Sequence, residues 1–340
     1  MATSYEPIWR DITITTGGTA DAPVSFTITA NGVQVYAGKS YEDEISISDI
    51  LADFLSGRIP ETITRSTSLG TSKITGYRCE YSVKDDADEV LGSGVAIYDW
   101  SYDYANSLQR LKSAPINGRL DPRMPLIWTE NCEAADEVKV TGYKLEGDFL
   151  IGDYNNDYSG ATVSQDYAKQ LTDAAAYNFI LSPFEIQAMG WQWLVRGADS
   201  QVFKVVRACH RYALYYVNAL GGVDFLLLEG NCSESDSLTR STFKSRRDTT
   251  DKRTRGTHEY RVESQKAYAL RTGLLTTEEA AKMHHLVESP LVCLWDNVEQ
   301  LMMPIVITDT AFEYKTYKSN GRQLIQYTIA ADLAQDRERR

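Results

Sequence analysis

The stretch YALYYVNALGGVDFLLLEGN, residues 212–231, decides the fold. It is the most apolar part of the chain, and a double glycine divides it into two runs of strand length. Tyrosine, valine and phenylalanine favour strands. The alternative is a helix over RYALYYVNAL that ends at Gly221, but tyrosine and valine are weaker helix formers. The pattern favours a β-hairpin with a loop from Asn218 to Gly222.

Both faces of this hairpin are expected to be buried, because neither run alternates with polar residues. A membrane hairpin is excluded, since the stretch contains Asn218, Asp224 and Glu229 and falls short of the roughly 18 apolar residues that span a bilayer. Two dry faces mean that another domain or subunit covers one of them. The residues predicted to line this domain or subunit junction, as an assembly interface, are Tyr212, Tyr215, Tyr216, Phe225 and Leu227.

Composition indicates an acidic chain of several domains. The 340 residues include 35 basic and 47 acidic ones, which gives a net charge of -12. Single cores rarely grow beyond roughly 250 residues, so two or three domains are expected. The five cysteines are scattered without a C-x-x-C pair, which predicts neither disulfides nor a zinc site and suits a reducing cytoplasm. The first residues, MATSYEPIWRD, have no signal-peptide pattern, and no membrane partner is expected.

One segment departs from the acidic balance. Residues 240–255 contain seven basic and two acidic residues, a charge of +5 against -17 for the rest. LTRSTFKSR (238–246) and THEYRVES (257–264) are predicted to pair as a long hairpin with RDTTDKRTRG (247–256) at its tip. Such an arm fits an acidic face on a neighbouring subunit. A phosphate backbone is disfavoured, because the tip lacks interleaved aromatic residues and the body is acidic. The predicted assembly residues here are Arg246, Arg247, Lys252, Arg253 and Arg255.

Residues 1–200 are predicted to form two β-domains, over 1–112 and 113–200. Asn31-Gly32 separates VSFTITA from VQVYAG in a tight hairpin, and a short helix is expected near residues 50–55. The proline-rich stretch SAPINGRLDPRMP (113–125) is the best linker candidate. FEIQAMGWQWLVRG (184–197) is interpreted as a strand, and AKQLTDAAAYNF (168–179) is compatible with a helical turn.

The last domain, 201–340, is predicted to be a β-sheet with a single packed helix and the long hairpin. Thr276-x-x-Glu279 fits a capping box. The helix is expected over 277–288, followed by the strands LVCLWD, MPIVITD, FEYKTYK and RQLIQYTIAAD. Its predicted inner face consists of Ala280, Met283, His284 and Val287. The fold class is therefore mainly β, with two or three sandwich-like or barrel-like domains.

No pattern predicts catalysis or metal binding. The chain lacks a nucleophile elbow, a P-loop and a dinucleotide fingerprint. His284 and His285 point to different sides of a helix, and DYNNDYSG (153–160) lacks the glycine and glutamate of a calcium loop. We therefore expect a protein that is not an enzyme and has no cofactor and no metal.

Several blocks of the sequence resemble proteins encoded by tailed phages and prophages of gut Bacteroides-type bacteria. They are PIWRDITITT, VYAGKSY with ISISDILADFL, the stretch 212–231, LRTGLLTTEEAAKMHHLVESPLVCLWD and PIVITDTAFEYKTYKSNGRQLIQYTIAADLAQ. The layout of the last domain also looks like the tail-tube fold of tube, distal-tail and baseplate-hub proteins. The resemblance implies no catalytic residue.

What the resemblance implies is a virion structural protein that is assembled in the host bacterial cytoplasm and forms a ring in the phage tail. Its expected partners are copies of itself and neighbouring tail proteins. An alternative from the residues is a carbohydrate-binding or adhesin-type β-protein, since aromatic side chains at alternate strand positions can stack on sugars. The candidate platforms are Trp100, Tyr102 and Tyr104, or Trp191 and Trp193. A hydrolase is supported only by scattered carboxylates.

Overall fold

The computed structural model is mainly β, with 60% strand and 7% helix, which confirms the predicted class. Several separate sheets make up the fold, which includes a curled half-barrel. The residues that the structure describes are 12–30, 32–47, 59–60, 63, 66–74, 77–98, 112–144, 162–189, 193–196, 201–206, 211–244, 257–289, 291–308, 313–319, 322–334 and 337–339.

The first part of the chain forms antiparallel strands, as predicted. They are β1 (Thr13–Thr15), β2 (Val24–Ala30), β3 (Val33–Ser40), β4 (Glu44–Ser46), β5 (Gly70–Lys73), β6 (Tyr77–Asp85) and β7 (Val90–Tyr98). Four of them form the N-terminal sheet in the order β3-β2-β6-β7, and β1 pairs with β4. Gly32 has φ 79° in the predicted β2–β3 hairpin, a conformation that favours glycine. The helix expected near residues 50–55 lies outside the described residues.

The middle of the chain contributes two sheets and a short helix. Its elements are β8 (Arg119–Leu120), β9 (Leu126–Cys132), β10 (Glu137–Lys144), β11 (Thr162–Gln170), β12 (Ala175–Leu181), α1 (Pro183–Met189), β13 (Trp193–Arg196) and β14 (Gln201–Val205). One sheet has the order β5-β12-β9 and the other β11-β10-β13-β14-β8. Trp128, Phe179 and Phe203 are buried in a shared cluster, the middle core.

Two predictions in the middle of the chain are wrong. Residues 184–197 do not form one strand, because helix α1 occupies their first half and, of the described residues in this range, Trp193–Arg196 are the extended ones. A proline at the first helical position is typical of a helix start, and Glu185 in the first turn accepts a hydrogen bond from the Tyr167 hydroxyl. Residues 168–179 contain no helical turn, since they belong to β11, β12 and the bend between them.

The last part of the chain forms one sheet of ten strands, the large sheet. Its elements are β15 (Tyr212–Val217), β16 (Val223–Leu227), β17 (Ser233–Lys244), β18 (Thr257–Arg271), β19 (Leu275–Thr276), α2 (Thr277–Ala281), α3 (His284–Val287), β20 (Val292–Asp296), β21 (Leu301–Ile307), β22 (Glu313–Ser319), β23 (Arg322–Leu333) and β24 (Arg337–Arg339). The main order is β16-β15-β20-β21-β23-β18-β17. Both predicted hairpins, β15–β16 and β17–β18, are confirmed as antiparallel pairs.

The predicted helix is present as α2 and α3, separated by a turn. Its capping box is confirmed, since the Thr276 amide donates to the Glu279 carboxylate at 2.7 Å and the Glu279 amide donates to the Thr276 hydroxyl at 3.2 Å. The predicted inner face is partly wrong. The turn shifts the helical register, so that Met283 and Leu286 are buried while His284 is exposed.

Hydrogen-bonded sheets cross both predicted domain boundaries. β5 from the first segment pairs with β12, and β14 from the last segment pairs with β13 and β8. The boundaries at 112 and 200 stay predictions, but neither coincides with the edge of a sheet. In the described part of the chain, no helix has the length and apolarity that a bilayer crossing requires.

Candidate assembly surface

The five apolar residues predicted as an assembly interface lie inside the chain. The side chains of Tyr212, Tyr215, Tyr216, Phe225 and Leu227 are exposed by 3%, 0%, 0%, 1% and 0%, respectively. Tyr215, Phe225 and Leu227 pack in the middle core. Tyr212 and Tyr216 pack in a second cluster, the C-terminal core. The residues therefore line a junction within one chain, which is one of the two expected arrangements, and they are not exposed to a second subunit.

Strand alternation explains this arrangement. Successive side chains on β15 point to opposite faces of the sheet, so Tyr215 enters the middle core while Leu214 and Tyr216 enter the C-terminal core. The C-terminal core also contains Leu286 and Ile329, from the helix and from β23. β15 and β16 therefore separate two hydrophobic cores, which is why neither strand alternates with polar residues.

The segment predicted as a linker, 113–125, is instead packed against the hairpin. Ile116, Leu120 and Met124 are almost completely buried. The backbone oxygens of this segment accept hydrogen bonds from the hydroxyl of Tyr215 and, at 3.2 Å, from the indole nitrogen of Trp295. Proline and glycine correctly indicated irregular backbone here. This irregular backbone is nevertheless buried, and residues 113–125 form a cover over the β15–β16 hairpin.

The cover and the adjoining strand β9 provide hydrogen-bond partners for the backbone at the open edge of the large sheet. β16 is the edge strand, so its outward backbone groups have no strand partner within the large sheet. The Val223 amide donates to the Thr129 hydroxyl at 2.8 Å, and its carbonyl accepts from the Ser113 hydroxyl at 2.5 Å. Thr129 in turn donates to the Asn178 side chain at 2.6 Å. Buried backbone groups without such partners would raise the free energy of the folded state, so these hydrogen bonds stabilise the hairpin.

Asn218 and Asp224 fasten the cover to the hairpin loop. The Asp224 carboxylate accepts from the Ala114 amide at 2.9 Å and from the Asn218 side chain at 2.6 Å. The Asn218 amide group also donates to the Lys112 carbonyl at 2.9 Å, while its oxygen accepts from the Gly222 amide at 3.0 Å. The two polar residues that interrupt the apolar stretch therefore form a buried clamp.

Gly222, the second glycine of the loop, is required because the backbone of the covering segment lies too close for a side chain. A Cβ at Gly222 would lie 2.5 Å from the Lys112 carbonyl oxygen and 3.0 Å from the Ser113 nitrogen. Both are backbone atoms, so the contact cannot be relieved by a side-chain rotation. Gly221 has φ 79°, which also favours glycine.

The long hairpin β17–β18 is anchored by a charged network at its root. Arg211 contacts Glu234 at 2.6 Å and Asp296 at 3.1 Å, and Lys266 contacts Glu234 at 2.8 Å. The Tyr212 hydroxyl also donates to Glu234. The hydrogen bond from Lys266, together with that from Tyr212, lowers the pKa of Glu234. The network joins the base of the hairpin to β15 and β20.

The tip of this hairpin, with Arg246, Arg247, Lys252, Arg253 and Arg255, lies outside the described residues. These residues stay a prediction from sequence. The paired legs run from Ser233 opposite Ala269 to Lys244 opposite Thr257. The described legs therefore form a long two-stranded element.

The described residues show no group of three or more His, Cys, Asp or Glu side chains that could hold a metal ion. The loop 153–160 is outside them. Burial and, to a lesser extent, Glu130 raise the pKa of the Cys132 thiol to about 12, so this cysteine stays protonated at neutral pH and is a poor nucleophile. Neither observation supports a catalytic site among these residues.

Comparison with known proteins gives no relative: no family model matches the chain, and no curated protein matches it significantly.

Substituting Gly222→Ala should destabilise the protein by roughly 1–3 kcal/mol, because the new methyl group overlaps the backbone of the cover. Gly70→Ala is the matched control, since its Cβ would meet Ile180 only at 3.4 Å and beyond. The free energy of unfolding, measured by denaturant titration, checks this. Equal stability of the two variants would contradict the described packing.

Stability should also fall as pH rises through the titration range of Asp224. Burial raises the pKa of this carboxyl from 3.8 to about 6, against the opposing hydrogen bonds from Asn218 and Ala114. Between these values the folded state binds more protons than the unfolded state, so deprotonation disfavours folding. Relative to Asp224→Asn, the wild type should lose about 2 kcal/mol between pH 4 and pH 6.5. A difference between the two proteins that does not change with pH would refute the assignment.

Proposed function

We propose that the protein is a non-enzymatic structural subunit of a phage tail, a ring-forming component at the tube end, distal tail or baseplate hub, that acts by assembling with copies of itself and with neighbouring tail proteins. The observation that carries the proposal is the long hairpin β17–β18, whose root is fixed by the Arg211–Glu234–Lys266 network and whose legs lead to a basic tip. The sequence resemblance to phage tail proteins supports the same class.

Burial of the apolar hairpin β15–β16 moves the expected contact surface elsewhere. Since Tyr215, Tyr216 and Phe225 are enclosed by the chain itself, they are not available to a neighbour. The exposed long hairpin is then the feature that can reach another subunit. Its segment 240–255 carries +5 and the remainder of the chain -17, so the arm of one copy complements the body of the next.

Reversing the charge of the tip should abolish assembly while the chain stays folded. The variant replaces Arg246, Arg247, Arg253 and Arg255 by Glu, and electron microscopy of particles and of the purified chain detects rings. The matched control replaces the exposed residues Lys39, Lys169, Lys315 and Lys318 by Glu, which gives the same change in net charge. If the tip variant forms rings as well as the wild type, a role of the basic tip in assembly is excluded. If the wild-type chain never forms rings, the proposed function is excluded.

A second candidate, carbohydrate binding, is favoured by a groove of about 390 Å³ beside the N-terminal sheet. Tyr36 and Tyr41 are 43% and 58% exposed there, and Glu42 supplies a polar wall. The ring of Tyr36 lies against Gly38, where a Cβ would approach it within 2.6 Å, so the glycine allows the ring to form one side of the groove. The platforms predicted from sequence stay predictions, since their side chains lie outside the described part of the structure: Trp100, Tyr102, Tyr104, Trp191 and Trp193.

If the groove binds sugars, Tyr41→Ala should abolish binding on a glycan array, because an exposed ring contributes stacking area. Val90→Ala, which shortens an equally exposed side chain outside the groove, is the control. Absence of glycan binding by the wild-type chain would remove this candidate.

A further inference from the structure

The outer edge of β17 is the longest open strand edge on the large sheet. β17 is the last strand in the main order and pairs over twelve residues with β18. Among the described residues, no strand pairs with its other edge. Most of the residues along this edge are exposed, although Glu234 and Ser241 are half-buried, and Leu238 at its centre is 54% exposed. Such an edge presents unpaired backbone donors and acceptors to any second strand.

The side chains of β17 do not protect this edge against pairing. Protected edges carry a proline, a bulge or a central charge that repels a second strand. β17 contains no proline, its central position holds an apolar leucine, and at the register shift beside Ser241 and Thr242 the extra residue belongs to β18. Acidic residues, Glu234 and Asp236, lie before Leu238, whereas the basic Arg240 follows it. The charge therefore changes sign along the strand at Leu238.

This charge order is self-complementary for two antiparallel copies. When Leu238 of one copy lies opposite Leu238 of the other, Asp236 of each copy lies opposite Arg240 of the other. These residues alternate along the strand and so share one face, where directly opposed side chains are close enough to interact. Shifting the register by two residues in either direction places Leu238 opposite Asp236 or Arg240. It also replaces the Asp236–Arg240 pairs by pairs of Glu234 with Arg240 or Lys244, although Glu234 is already bound by Arg211 and Lys266 of its own chain. The register centred on Leu238 is therefore preferred.

We infer that two copies of this chain associate through antiparallel pairing of their β17 edges, centred on Leu238, with two Asp236–Arg240 ion pairs across the two-fold axis. The partner is a second copy, because the sign change within one strand matches the same strand reversed. The pairing goes beyond the proposed function, because a two-fold contact differs from the head-to-tail contacts that close a ring. It rests on that function only in requiring a second copy, and it does not require a ring or a virion.

Charge swaps test the pairing directly, with sedimentation equilibrium of the purified full chain as the measurement. Asp236→Arg and Arg240→Asp should each weaken dimerisation by about tenfold or more, since each places like charges opposite one another at two positions. The double variant should dimerise like the wild type. Mixing the two single variants should give a heterodimer, because opposite charges then face each other at both positions.

The control for general charge effects is Lys315→Asp, at an exposed position on β22, which should leave the dimer unchanged. Circular dichroism shows whether each variant stays folded. A wild-type chain that remains monomeric at every concentration, or a double variant that is not restored, would overturn the inference.

The register has an independent readout. Leu238→Cys should form a disulfide-linked dimer on mild oxidation, because the two side chains are directly opposed. Thr242→Cys should not, because it lies opposite Glu234 of the other copy. Equal crosslinking at both positions would contradict the register. The variant with Glu at the four tip arginines should still dimerise through β17, so failure of the ring and failure of this pairing can be told apart.

Discussion

The structure depends on one constraint: an edge strand that is apolar on both faces must have both faces covered and its outward backbone groups hydrogen bonded. β16 is that strand. The two cores cover its faces, and the hydroxyls of Ser113 and Thr129 pair with the backbone of Val223. Because Ser113 and Thr129 belong to the middle of the chain, the edge of the large sheet can be satisfied only when the middle segment folds against it.

The buried clamp at the hairpin loop follows from the same constraint. Asn218 and Asp224 would be costly in an apolar environment if they had no partners. Here they bind the backbone of Lys112 and Ala114, so the cover and the loop hold each other in place. Burial nevertheless makes the charged form of Asp224 unfavourable, which couples this junction to pH. With the most apolar part of the chain enclosed in this way, the exposed residues of β17 are the proposed contacts with a second copy.

Local patterns in the sequence predicted much of the fold. The apolar runs around Gly221, the Asn31-Gly32 turn and the Thr276–Glu279 capping box each specify geometry within a few residues, and each was confirmed. The cover 113–125 was mistaken for a linker because proline and glycine indicate irregular backbone without indicating burial. The partner that covers the hairpin was also not predictable, since burial on both faces does not reveal whether the cover belongs to the same chain. The basic tip stays a prediction from charge alone.

The most direct test of the account is amide hydrogen exchange in the isolated chain, at concentrations where it is monomeric. If the chain itself encloses the hairpin, the amides of Tyr212–Val217 and Val223–Leu227 should be among the slowest to exchange and should open only with global unfolding. Rapid exchange of these amides in the monomer, with protection that develops only on assembly, would show that another subunit provides the cover and would contradict the account.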